Sequence, residues 1–176
     1  MVHQHEEDPA CAVAHGDVQV TPAANRTLVA VFASPVAEFL LRCGADLGYR
    51  AVLVEPDPER AATARGTFAD VTTSAPADLD GTADVVVTDH HRPELGTVLR
   101  DLLAHQVRWI GVMGNPRHPG PHVQALTELG VPSDDIARVH RPVGLNIGSR
   151  TPPEIAVATL AGLLADRNGR PGGFSF

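Results

Sequence analysis

The chain has 176 residues, 43% of them hydrophobic and 20% charged, and a formal net charge of −7. That length suits one domain able to bury about 70% of its unfolded surface. The negative charge gives nucleic acid no general attraction, and no apolar run approaches the ~18 residues of a membrane helix, so neither is an expected partner.

Residues 1–26 read as a tail or linker. They carry His3, His5, Cys11 and His15, types that bind metals, with nothing to hold them in a fixed geometry, so no metal site is expected. Asp17–Pro22 is a candidate short edge strand. Met1–Asp8 is polar and acidic, unlike a signal peptide. Cys11 and Cys43 form no CxxC pattern and no disulfide framework, which makes a reducing cytoplasm the default location. The alanine, arginine and proline usage points to a GC-rich bacterial source.

Strands and helices then alternate. Thr27–Ala33 is a buried-strand candidate, and Pro35–Leu47 is a helix stopped by Gly48. Arg50–Val54 is a second strand, Pro58–Arg65 a second helix, and Ala69–Thr73 a short third strand. Ala83–Thr88 is a fourth strand, Pro93–His105 a helix and Val107–Met113 a fifth strand. Val123–Leu129 is a helix ended by Gly130, and Ala137–Val139 starts a last strand. The closing helix runs to about Arg167, and residues 170–176 form a loose end. Domain boundaries at 27 and 169 follow. This alternation predicts an α/β fold: a doubly wound, mainly parallel sheet with helices on both faces. Ligands of such sheets sit beyond the carboxyl ends of the strands, near the switch in strand order.

That rule selects the loops. The first, Ala33–Glu38, lacks the G-x-G-x-x-G of a dinucleotide turn, because the chain has no glycine between Arg26 and Gly44. Standard binding of NAD or NADP is therefore not expected, although Ser34 can cap the helix and Pro35 suits its first position. In the second loop Glu55 stands where an acidic residue accepts ribose hydroxyls; the alternative is a solvated charged loop. The third loop, Thr88–Pro93, holds Asp89, His90 and His91, where an imidazole can serve as base or ligand or simply lie on the surface. The fourth, Gly111–His122, offers Gly114 for a sharp turn and Asn115 and Arg117 for a phosphate. Its prolines argue against pairing His118 with His122 on a metal. No HExxH, Walker or nucleophile motif occurs, so no catalytic residue is named.

The most informative stretch is Pro142–Ala156, PVGLNIGSRTPPEIA. Thr151 and Glu154 form a capping-box pattern around Pro152 and Pro153, ahead of a helix apolar on nearly every side and so predicted to be buried. With Arg150 beside it, this helix start is either a well-capped core element or an anion site.

GLNIGSRTPPEIA resembles the "PiGLdiGarTPeEIAvSI" block of the XdhC/CoxI family, accessory factors of xanthine dehydrogenase and related molybdenum hydroxylases. WIGVMGNPR at 109–117 is similar to that family's "YiGlmGSrrK", and ARVHRP at 137–142 to its "arihaP". FASPVAEF departs from the family's "fGaGhva", and Asp57 stands where the family has an arginine. The resemblance covers roughly Thr27–Arg167 and implies a Rossmann-like domain. It further implies a role in maturing a molybdenum hydroxylase client or delivering its cofactor. A molybdopterin-type cofactor or an adenine nucleotide would then lie at the strand edge, among Ser34, Glu55, Asp89, His90, Gly114, Asn115, Arg117 and Arg150. The family's cysteine-bearing N-terminal domain has no expected counterpart, and a homodimer is compatible. The alternatives are a stand-alone NAD(P)-binding oxidoreductase and a degenerate Rossmann interaction module without ligand.

Overall fold

The computed structural model describes residues 26–115, 117, 118 and 120–173. The His/Cys tract and the Asp17–Pro22 strand candidate lie outside the described residues, as do residues 174–176. The elements run β1 (Thr27–Val31), α1 (Pro35–Asp46), β2 (Arg50–Val54), α2 (Pro58–Ala64), β3 (Val71–Thr72) and β4 (Asp84–Val87). They continue with α3 (Leu95–Leu103), β5 (Trp109–Val112), α4 (Pro121–Glu128), α5 (Ser133–Ile136), β6 (Val139–His140) and α6 (Pro152–Arg167).

The strands form one parallel sheet in the order β3-β2-β1-β4-β5-β6. The predicted doubly wound α/β architecture is present, with every pairing parallel. The chain switches direction between β1 and β4, so their carboxyl ends flank the crevice where such folds bind ligands. Along β1, Leu28 and Ala30 face one core and Val29 and Val31 the other, as the period of two requires. The Leu28 face packs against Leu40 and Leu41 of α1 and against Ala156, Leu160 and Leu163 of α6. The Val29 face packs against Leu95, Leu99 and Leu102 of α3 and Leu126 of α4.

Helix starts follow local chemistry. Ser34 Oγ accepts the Ala37 N–H at 3.0 Å, and Asp57 Oδ1 accepts from Glu59 and Arg60 at 3.0 and 2.9 Å. At α6 the Glu154 carboxylate accepts from Arg150 N–H at 2.7 Å and Thr151 N–H at 3.1 Å. These donors hold Glu154 below the usual carboxylate range. α6 is predicted to be largely buried; Ala156, Ala158, Thr159, Leu160 and Leu163 are buried, while Val157 is 55% exposed. The helix lies in an outer layer beside α1, so its far side meets solvent and only the Ala156–Leu160–Leu163 side enters the core.

Candidate functional site

Register sets the floor of the site. Val31 pairs with Val54 on one side and Val87 on the other, and Val87 pairs with Val112. The sheet therefore ends in a level row, and the next residues, Phe32, Glu55, Thr88 and Met113, open the four loops above it.

At the first loop Phe32 is fully buried with φ +72, a left-handed conformation held by few non-glycine residues. The turn keeps a glycine-like backbone without a glycine. This also explains why β1 ends at Val31, short of the predicted Ala33. Thr88 Oγ1 bridges to Ser34 Oγ at 2.9 Å and lies 3.0 Å from the carbonyls of Val31 and Phe32. The β1–β4 crevice is thus stitched by side chains. Glu55, fully buried, accepts the Ala33 N–H at 2.9 Å and the Asp57 N–H at 3.2 Å. Arg92 clasps both its oxygens at 2.9 and 3.2 Å, also holds Glu94, and lies over the Phe32 ring at 4.7 Å. The Glu55 position that a ribose would use is engaged by this pair. A carboxylate from the protein takes the N–H that a phosphate would seek.

Space opens on the other side of the switch point. A cleft of about 790 Å³ lies between the loops after β4 and β5 and the Pro142–Ser149 segment. Its walls include His90, Gly114, Asn115 and Arg117, and Val36 of α1. That volume falls in the range of small-molecule sites, about 300–1,000 Å³. Gly144, at φ +86, brings the segment onto α6: a Cβ there would lie 3.0 Å from the Ala158 backbone. The Leu145 N–H donates to the Ala158 carbonyl at 3.0 Å, fixing that approach.

The structure therefore joins His90, Gly114, Asn115 and Arg117 in one cleft, with Ser34 bonded to its Thr88 wall. Glu55 lies apart, on Arg92. Asp89 is half-buried and accepts the His91 N–H at 2.9 Å. Arg150 is exposed at the lip beside Ser149, and its backbone N–H is already on Glu154. With Pro152 and Pro153 lacking N–H groups, the α6 start keeps few donors for an anion, whereas the Val36 N–H at the second position of α1 has no intrahelical acceptor. Among the described residues no group of three or more His, Cys, Asp or Glu could hold a metal.

Sequence reasoning did not select Arg141 and weighed His122 only as a metal partner of His118. The Arg141 guanidinium lies against Gly114 and Gly120, donates to the Asn115 carbonyl at 3.0 Å, and neighbours the buried His122. Burial, followed by the Arg141 charge, pushes the His122 imidazole below its usual range. His90 is lowered too, first by burial and then by His91 and Arg141. A lowered folded-state value means stability is complete above the ordinary imidazole range of ~6.5 and lost as pH falls through that lowered value. Thermal unfolding scans from neutral to mildly acid pH are expected to show this decline, and a shallower one in His122→Asn. An unchanged slope would show that His122 is not the group responsible.

The strand order, the level carboxyl edge and the crevice define a Rossmann-type α/β domain. The chain belongs to the XdhC Rossmann domain family, whose model matches residues 28–163. It is 41% identical over 75 residues to the uncharacterized protein YqeB of Escherichia coli K12, a stretch covering 43% of this chain and 14% of YqeB. Its fold is similar to the crystal structure of a xanthine dehydrogenase from Bacillus halodurans, with a TM-score of 0.64 and 22% identity. That similarity covers 86% of this chain and 45% of the other. The chain thus spans less than half the length of either relative. Among the described residues no helix is long and apolar enough to cross a membrane.

Proposed function

We propose that this domain serves an XdhC-like accessory role, maturing a molybdenum hydroxylase or delivering its cofactor, and holds a nucleotide or pterin phosphate in the cleft at the strand edge. The observation carrying this reading is the cleft itself: the Pro142–Ser149 loop, the stretch most similar to the family, forms one wall opposite His90, Asn115 and Arg117. Val36, Met113 and Ile155 offer apolar surface for a flat ring, while Asn115 and Arg117 offer polar groups at its edge. A molybdopterin-type group fits this combination of residues. A dinucleotide pyrophosphate does not fit the first turn, where Pro35 removes a donor and Glu55 occupies the Ala33 N–H.

Two results test the reading. Calorimetric titration is expected to give micromolar affinity for adenosine monophosphate or a pterin phosphate, weakened about tenfold or more in Gly144→Val, which pushes the loop off α6. No measurable binding of either would overturn it and favour an interaction module without ligand, a reading supported by the closed Glu55–Arg92 corner. NAD and NADP are expected to bind in the millimolar range or more weakly. Micromolar binding of either would favour the oxidoreductase alternative.

A further inference from the structure

Beside the cleft lies a second recess of about 600 Å³, bounded by His90, His91, Asn115, His118, Pro121 and Arg141. It shares His90 and Asn115 with the larger cleft. Its chemistry is cationic and imidazole-rich, and among the described residues no carboxylate pairs with Arg141. Four other partly buried arginines near the sheet differ: Arg92 holds Glu55, Arg108 and Arg167 hold Asp84, and Arg138 holds Asp135. Among the described residues Arg141 has the Asn115 carbonyl alone, at 3.0 Å, on Nη2. Among the described residues its Nε and Nη1 are buried without an acceptor, and so is Nδ1 of His122, a residue only 5% exposed.

An unsatisfied buried N–H costs free energy, and a half-buried guanidinium without a counter-charge costs more. A ligand that supplies an acceptor to these donors removes that cost. The backbone is shaped to admit this group. A Cβ on Gly114 would meet Nη2 at 2.4 Å, and one on Gly120 would meet the His122 ring at 2.4 Å and Arg141 Nη1 at 3.1 Å. Glycine at both positions lets the fork lie flat against the chain at the ligand edge of the sheet.

We propose that Arg141, backed by His122 and opening onto the histidine-lined recess, is the seat of a phosphate group. The planar fork suits two parallel bonds to a tetrahedral oxyanion. The recess adjoins the proposed cleft, so a ring in the cleft could place its phosphate on Arg141; that orientation rests on the ligand reading above. The seat itself does not, because free inorganic phosphate offers the same chemistry.

The test uses the full chain with inorganic phosphate and, separately, adenosine monophosphate, each against sodium chloride of equal ionic strength. Phosphate is expected to raise the melting temperature dose-dependently in the wild type. Arg141→Met keeps the apolar stem and removes the unpaired charge. It is expected to be at least as stable as the wild type without phosphate, yet to bind phosphate about tenfold or more weakly by calorimetry. Arg141→Lys, with a charge but no fork, should fall between. Dependence on Arg141 with both probes identifies an organic phosphate ligand, and dependence with inorganic phosphate alone identifies the free ion; either supports the seat. A wild type indifferent to both probes, or an Arg141→Met variant that responds as the wild type does, overturns it. Adenosine monophosphate binding that is lost in Gly144→Val but intact in Arg141→Met would keep the cleft reading and discard this one.

Discussion

Replacing Asp84 with alanine is expected to lower stability by about 3–5 kcal/mol, the usual cost of stranding buried charged partners. Asp84 opens β4 at the amino edge of the sheet and is fully buried. Its carboxylate accepts from Arg108 Nε at 2.6 Å, Arg167 Nη2 at 2.8 Å and the Tyr49 hydroxyl at 3.3 Å. Arg108 extends the network to Asp166 at 2.6 Å, tying the last turn of α6 to the sheet. Without Asp84, the Arg167 guanidinium loses its carboxylate beside the core and Arg108 keeps only the half-exposed Asp166. Burial and the Asp84 charge both raise the Tyr49 phenol, so it stays a donor across the neutral range. Asp84→Asn keeps the shape but not the charge and should recover only part of the loss. Urea unfolding at neutral pH measures both variants, and a cost below about 1 kcal/mol for Asp84→Ala would place the network with exposed ion pairs. The network lies at the end of the sheet opposite the cleft, so the folded fraction of each variant should bind ligand as the wild type does.

Much of this architecture was readable from residue order, because local signals and tertiary demand agree. Pro152–Arg167 was expected as a helix and is one, since Thr151, the proline pair and Glu154 mark its start whatever it packs against. β1, β2, β4 and β5 were readable because each carries a short apolar run between turn residues. Boundaries drifted where tertiary geometry intervened: Phe32 at φ +72 ends β1 early, and α3 begins at Leu95 rather than Pro93. The four-residue helix α5 was not foreseen, since Ser133–Ile136 is too short to show a helical period. At the site, the strand-edge rule points to the loops that carry His90, Gly114, Asn115 and Arg117, which line one cleft. It could not foresee that Glu55 would meet an arginine 37 positions away, because no local pattern encodes that pairing. The pairing of Arg141 with His122 was hidden for a related reason. Their missing partners become visible only once Gly114 and Gly120 pack against them.

The Glu55–Arg92 pair carries the second large effect. Arg92→Ala leaves a fully buried carboxylate with only the Ala33 and Asp57 N–H groups, at an expected cost of about 3–5 kcal/mol. Glu55→Ala is expected to cost a similar amount by a different route. Arg92 keeps Glu94 at 3.1 Å, but two backbone N–H groups lose their acceptor, at about 1–3 kcal/mol each when buried. The double variant removes the stranded charge and keeps only the orphaned N–H groups, so it should lose clearly less than the sum of the singles. A coupling of about 2 kcal/mol or more in the cycle is expected, and additivity would show that the two residues act independently. The same variants bear on the dinucleotide question. Glu55→Ala frees the Ala33 N–H, yet Pro35 still supplies no donor, Phe32 still holds the turn at φ +72 and the Ser34–Thr88 bridge still spans the crevice. NAD affinity should therefore stay in the millimolar range or weaker in Glu55→Ala. Micromolar binding in that variant would mean that the carboxylate alone excludes the pyrophosphate and that the turn is otherwise competent.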